Sequence, residues 1–254
     1  VADPEAARPT PEAAEALGRL VERIGLVAVV SGRPVEFLAS VLPGDPRLVL
    51  AGQHGLERVA GGRYDVDPRL EPWRAAVAAA AEAAGRAGIP GLLIERKGDI
   101  AVNLHWRTVP ERAAEAEAYG RRLAEDLGLD ALPMRMALEL RPPLPVDKGT
   151  VIDELAAGRA AALVAGDDHG DLAAFAALGR LVDAGRCGHA VRVAVRSDEA
   201  PAALLEAADH QVDGPAGLAA LLTRLAGLVD AARAVPADPG NPADPADAAS
   251  PPPA

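Results

Sequence analysis

Three carboxylates follow one short apolar run: Leu163-Val-Ala165 stops at Gly166, and Asp167, Asp168 and Asp171 come next. Carboxylates set this close repel one another unless a cation or a raised pKa relieves them. An all-oxygen donor set suits Mg²⁺, which bridges a few carboxylates to a phosphate. The alternative is an acidic N-cap region for the Ala-rich helix Leu172 to Leu178, which alone would account for Asp168 and Asp171. A second cluster, Ser31-Gly32-Arg33-Pro34, offers a hydroxyl and backbone N–H groups that can hold phosphate oxygens, with Gly32 allowing close approach. An ordinary Ser N-cap is the competing account. Lys148 stands in the first turn of a helix opened by Val146-Asp-Lys-Gly-Thr150. A cation is unfavourable there unless an anion is bound beside it. The plainer account is a solvated surface lysine.

The elements that must position these groups read as an α/β chain. Thr10-Pro11-Glu12-Ala13 is a helix start with an N-cap Thr and Pro at the first helical position. Leu17, Leu20, Val21 and Ile24 share one face, and Gly25 ends the helix. Leu26 to Val30 is an uninterrupted run, as expected of a strand covered on both faces. Ser31 and Asp167 thus both stand at the carboxyl ends of strands, where open α/β sheets take ligands. Leu48 to Ala51 is another strand, leading into Gly52-Gln-His-Gly-Leu-Glu57.

From Arg58 the pattern changes. Arg58 to Val66 reads as a hairpin around Gly61-Gly62, and Pro72 to Ala87 as an Ala-rich helix. Leu92–Lys97 and Ile100–Trp106 alternate like paired strands across Gly98-Asp99; Pro110–Leu127 is an amphipathic helix, and Met134–Leu140 alternates again. This block predicts an antiparallel sheet with helices on one face, inserted into a parallel domain. The expected division is a core in two parts, 1–57 and 141–230, an inserted cap, 58–140, and a disordered Pro/Ala/Asp-rich tail, 231–254.

Composition narrows the function classes. The net charge of −11 argues against a nucleic-acid partner, because phosphate backbones need a basic face. The single cysteine, Cys187, excludes an internal disulfide and fits a reducing cytosol. No apolar run in the sequence approaches the ~20 residues of a spanning helix, so a membrane is not expected as a partner.

The order of these clusters resembles the haloacid dehalogenase superfamily, whose later motifs supply a Ser/Thr, a Lys and an acidic pair around an inserted cap. Five segments resemble trehalose-6-phosphate phosphatase more closely: Val30-Ser-Gly-Arg-Pro34, Gly52-Gln-His-Gly-Leu-Glu57, Glu139-Leu-Arg-Pro-Pro143, Val146-Asp-Lys-Gly149 and Gly166-Asp-Asp168. The cap hairpin with Glu95, Lys97, His105 and Arg107 is similar to that family's sugar-facing cap. The resemblance implies a Rossmann-like parallel core with an α+β cap and two-step phosphoryl transfer through an aspartyl-phosphate. It implies Mg²⁺ at Asp167, Asp168 and Asp171; phosphate at Ser31, Gly32, Arg33 and Lys148; and sugar at Gln53, His54, Glu57, Lys97, His105, Arg107, Glu139 and Arg141. Lys148 and Ser31 would be catalytic, the substrate a small sugar phosphate, the location the cytoplasm, and a trehalose-6-phosphate synthase a partner.

Two departures accompany it. After Gly166-Asp-Asp168 the family usually has Thr-Asp-Glu-Asp, whereas this chain has Gly170-Asp-Leu-Ala173, keeping Asp171. The family's Asp-x-Asp-Gly-Thr motif, with nucleophile and general acid, is expected just before Val1-Ala-Asp-Pro4 on a strand between Leu26–Val30 and Leu163–Ala165, and it is not in these residues. Asp3 has no apolar strand before it. The chain as given is therefore expected to be inactive. A non-catalytic sugar-phosphate-binding remnant, or a phosphatase for another sugar phosphate, are the alternatives.

Overall fold

Thr10 caps the first helix as its side chain predicts. Its hydroxyl accepts the Ala13 N–H at 3.2 Å, and Pro11 opens α1 (Pro11–Arg23). The computed structural model describes residues 8–134, 136–198 and 200–234. Leu20 and Val21 of α1 pack with Val27 of β1 (Val27–Val30) and Leu38 of α2 (Val35–Val41). Next comes β2 (Leu48–Gly52), every residue of which is buried. β1 and β2 run parallel, Val30 opposite Ala51, so the Ser31 tip and the tip of β2 lie side by side.

A hairpin of β3 (Glu57–Ala60) and β4 (Arg63–Val66) extends this sheet antiparallel, in the order β1-β2-β3-β4. Residues 58–66 therefore pair with the core rather than opening the cap. Leu50, Ala51 and Gly52 of β2 bond to Val59, Arg58 and Glu57, because a fully buried strand needs hydrogen-bond partners on both edges.

α3 (Arg74–Gly85), β5 (Leu93–Lys97), β6 (Ala101–His105), α4 (Ala113–Leu127), β7 (Asp130–Met134) and β8 (Ala137–Arg141) follow. Their strands form an antiparallel sheet, β5-β6-β8-β7. One alternating strand was expected over Met134–Leu140; instead Met134 pairs with Ala137, and Met136 takes the turn at φ 54°. The even-numbered Val102, Leu104, Leu138 and Leu140 are buried against Val77 of α3 and Ala116 of α4. Period-two alternation then puts the odd-numbered residues of β5, β6 and β8 on the opposite face.

The chain returns through α5 (Lys148–Leu155), β9 (Ala161–Gly166), α6 (His169–Asp183), β10 (His189–Arg196), α7 (Ala202–Ala207), β11 (His210–Asp213) and α8 (Gly214–Ala234). These strands make a parallel sheet, β11-β10-β9. Ala226 of α8 packs in one cluster with Leu20 of α1 and Val27 of β1. The stretch Gly214–Arg233 is long and apolar enough, by length and composition, to cross a membrane; it lies along α1 and the third sheet. A tail was expected from residue 231, but α8 runs to Ala234; residues 235–254, like Asp3, lie outside the described residues.

The parallel strands do not form one sheet. Among the described residues β1 is bonded only to β2, and β9 only to β10, so within them each has an unpaired edge. Their amino ends are neighbours, since a Cβ at Gly25 would sit 3.7 Å from the Arg159 guanidinium. β1 was expected to be covered on both faces, yet only Val27 is buried; in β9 only Gly166 is, and Leu163 is 37% exposed. A strand without a neighbour on one side leaves its side chains open there.

Candidate active site

The acidic tip after β9 is a constructed turn. Asp168 caps α6: its side chain accepts the Asp171 N–H at 3.2 Å, while Asp171 Oδ2 accepts the N–H groups of Asp167 at 2.9 Å and Asp168 at 3.1 Å. Asp171 Oδ1 takes the Lys148 ammonium at 2.8 Å. A Cβ at Gly166 would lie 2.2 Å from the Asp171 carboxyl carbon, so glycine is what lets this aspartate fold back under the turn. Asp171, buried and bonded through both oxygens, holds the loop in shape. The N-cap account of Asp168 and Asp171 describes their hydrogen bonds.

Asp167 differs. Among the described residues it has no ion-pair partner, and burial, then repulsion from Asp168 and Asp171, pushes its pKa up. Oxygens of the three carboxylates lie within 4.8 Å of one another. Lys148 is buried rather than solvated. Burial acts to lower its pKa, but Asp171 and Asp168 outweigh that and hold it above its usual range. The anion that justifies a lysine in the first turn of α5 is thus supplied by the chain, with Asp168 at 3.3 Å as well. The charge is not balanced: one cation faces three carboxylates. An oxygen donor set with one uncompensated member fits a small divalent cation at Asp167, shared with the exposed Asp168.

At the Ser31 tip the Arg33 N–H donates to the Ser31 hydroxyl oxygen at 3.2 Å, leaving the hydroxyl hydrogen available. The Arg33 guanidinium lies over the Phe37 ring, 4.5 Å from its centroid. Gly32 also has a close neighbour within the chain. The His54 ring packs on it, and a Cβ there would stand 2.7 Å from His54 Nε2. Gln53 and His54 carry φ of 48° and 60°, strained for residues with side chains, held by Gln53 N–H to Arg33 O and His54 N–H to Ser31 O. Burial lowers the His54 pKa, Arg141, Lys148 and Lys97 adding to it and Glu139 opposing. Glu57, expected to touch sugar, instead accepts the Val35 N–H at the start of α2 at 2.8 Å and the Tyr64 hydroxyl at 3.3 Å. Its carboxylate anchors the loop that carries Ser31.

Apart from Lys148 of α5, the groups acting on His54 come from the odd-numbered face of the antiparallel sheet. There Lys97 Nζ donates to Glu139 at 2.5 Å, both buried, and Glu95 accepts His105 Nε2 at 2.7 Å and Asn103 Nδ2 at 3.0 Å. Those bonds, His105's first, hold Glu95 down to about 2. Arg141 shares the face; Arg107 is exposed in the turn after β6. Asn103, opposite both Glu95 and Glu139, was not singled out from the sequence, although alternation from His105 places it on this face.

The likenesses to known proteins agree with this geometry. A sequence model of the trehalose-phosphatase family matches residues 1–210. The chain belongs to the trehalose-phosphatase family. Among its relatives are the trehalose-phosphate phosphatase of Mycobacterium avium, 36% identical over 247 residues, and that of Mycobacterium marinum, 34% identical over 241. Each alignment covers 89% of this chain and 58% of the relative, so the chain spans little more than half the length of these proteins. The fold is that of a trehalose-6-phosphate phosphatase related protein (TM-score 0.74, 22% identity, covering 91% of this chain and 93% of that one). The C-terminal domain of the Candida albicans trehalose-6-phosphate phosphatase is also similar (TM-score 0.69, 21% identity, 90% and 88% covered). The arrangement sets the Ser31 tip, a buried lysine and a carboxylate cluster beside a polar sheet face.

Proposed function

We propose that this chain is the catalytic region of a Mg²⁺-dependent phosphatase that converts trehalose 6-phosphate to trehalose and phosphate in the cytoplasm, with a trehalose-6-phosphate synthase as the source of its substrate. The observation that carries the reading is the neighbourhood of His54: its ring packs on Gly32 of the Ser31 tip, and Lys148, Lys97, Glu139 and Arg141 are near enough to act on its charge. The Ser31 hydroxyl donates to a phosphate oxygen. Lys148, held by Asp171, presents positive charge to the transferring group, where such charge lowers the barrier most. Mg²⁺ held at Asp167 with Asp168 supplies offsetting charge for an anionic phosphate beside carboxylates. Lys97, His105, Arg107, Glu139 and Arg141 hold sugar hydroxyls, and contact of their face with the tips keeps water out. Residues 67–140 act as the cap and the remainder as the core.

The unpaired edges of β1 and β9 favour a second element of the reading: the 254 residues bind sugar phosphate without turning it over. Among the described residues no strand lies between β1 and β9 to bring a nucleophilic carboxylate against Ser31, Lys148 and Asp167. The experiment compares phosphate release from trehalose 6-phosphate, with and without Mg²⁺, by the 254-residue protein and by a version extended with a strand ending in Asp-x-Asp. Metal-dependent release is expected only from the extended protein. Steady release by the 254 residues, or none by the extended protein, overturns the assignment of the seam.

A further inference from the structure

Among the described residues three buried side-chain atoms have no hydrogen-bond partner: Gln53 Nε2, Asn103 Oδ1 and Arg141 Nε. Orphans of this kind are rare in native proteins, and each carries a desolvation penalty. These three are grouped. Asn103 and Arg141 lie on the polar face of β6 and β8, and Gln53 precedes His54, whose imidazole feels Arg141, Lys97 and Glu139. Gln53 and Arg141 are short of an acceptor. Asn103 is short of a donor, and that difference carries chemical information.

The orientation of the Asn103 amide is decided by its neighbours. Its NH₂ donates to Glu95, which also takes His105 and is held ionised, able only to accept. Flipping the amide would set oxygen against carboxylate, so Oδ1 is turned away from Glu95. Across the strand pair stands Glu139, another acceptor, whose carboxylate is engaged by Lys97. No protein group on this face supplies the missing hydrogen to Oδ1. A phosphate or carboxylate ligand could satisfy Gln53 and Arg141, yet only a ligand carrying O–H or N–H can satisfy Asn103.

We propose that Asn103 Oδ1 accepts the hydrogen of one substrate hydroxyl and thereby selects a hydroxylated, sugar-bearing phosphate over a bare phosphate ester. The inference rests on the reading that this face binds the sugar part of a sugar phosphate. Asn103 is a specificity residue here, distant in role from Lys148 and Ser31.

The test is calorimetric titration of the 254-residue protein with trehalose 6-phosphate, its monodeoxy congeners and inorganic phosphate. One congener is expected to bind about 10-fold or more weaker to the parent, the cost of leaving a buried polar group unpaired. Asn103→Leu should weaken trehalose 6-phosphate by a similar factor, lose discrimination against that congener, and leave inorganic phosphate binding unchanged. Should the leucine variant not fold, Asn103→Ala reads the same effect. Parent binding of every congener within about twofold of trehalose 6-phosphate overturns the inference, as does undiminished discrimination by the variant; an interior water satisfying Oδ1 gives that outcome. If the parent binds inorganic phosphate but not trehalose 6-phosphate, the sugar-phosphate reading itself falls, and this inference with it.

Discussion

Lys97 and Lys148 are both buried, with side-chain exposures of 9% each, and both are held by carboxylates. Lys97 meets one partner, Glu139, at 2.5 Å, and the pair is neutral. Lys148 meets Asp171 and Asp168, and a third carboxylate, Asp167, is left over. A one-to-one pair in the interior is complete in itself; its worth lies in fixing where two strands of the polar face place their side chains. A lysine among three carboxylates is an electrostatic account left open, and the open position suits a cation. The two sites use the same residue types, so charge count and geometry, not residue identity, separate a balanced pair from a cluster that leaves a position for a cation.

The largest expected effect is at the closed pair. Lys97→Met strands Glu139, whose side chain is 3% exposed, and should destabilise the fold by about 3–5 kcal/mol in urea unfolding. Added Mg²⁺ should not restore it. A loss below about 1 kcal/mol would show that the pair is not buried in solution.

Lys148→Met should cost somewhat less, about 2–3 kcal/mol, because Asp171 keeps two backbone N–H donors and Asp168 is open to water. Here millimolar Mg²⁺ should recover part of the loss. Equal Mg²⁺ responses of the two lysine variants would erase the distinction between the sites.

Asp167→Asn relieves repulsion from its two neighbours and should raise stability without metal by up to about 1 kcal/mol. The same variant should abolish any midpoint shift produced by Mg²⁺ in thermal unfolding. An unchanged Mg²⁺ shift would move the cation site elsewhere.

The smallest effect is a pH dependence confined to the polar face. Glu95 titrates from about 2 in the fold against 4.5 ordinarily, so its contribution is present above pH 4.5 and is lost as pH falls toward 2. Because half of its side chain is exposed, solvent weakens the effect. The stability gap between the parent and Glu95→Gln should therefore narrow over that window. A gap that stays constant between pH 5 and about 2 would mean that the His105 bond does not persist in solution.

Much of the fold was legible because it depends on local rules. Thr10-Pro11 marked α1, Gly98-Asp99 the β5–β6 hairpin, and alternation in β5, β6 and β8 a sheet with one helical face. The sheet to which β3 and β4 belong was not legible, since a hairpin reads alike wherever its edge is accepted. Of the candidate site, residue types and order stood out, but their individual duties did not. Gly32 looked like a phosphate cradle and carries the His54 ring; Glu57 looked like a sugar ligand and holds the start of α2.

By itself the sequence determined the trehalose-phosphatase kinship, the strand tips that carry Ser31 and Asp167, and the polar alternation that puts Lys97, Asn103 and Glu139 on one face. The kinship rests on the likeness of five short segments, and the rest follows from periodicity and residue type, which act over a few neighbouring positions. Tertiary structure alone decided which acceptor each donor meets. Asp171 is consumed by Lys148 and two amides while Asp167 is left uncompensated, and Asn103 is left with an oxygen that nothing answers. The lysine–carboxylate pairs join residues 20 positions apart in Lys148 with Asp168 and 42 in Lys97 with Glu139, and only packing in three dimensions sets their distances.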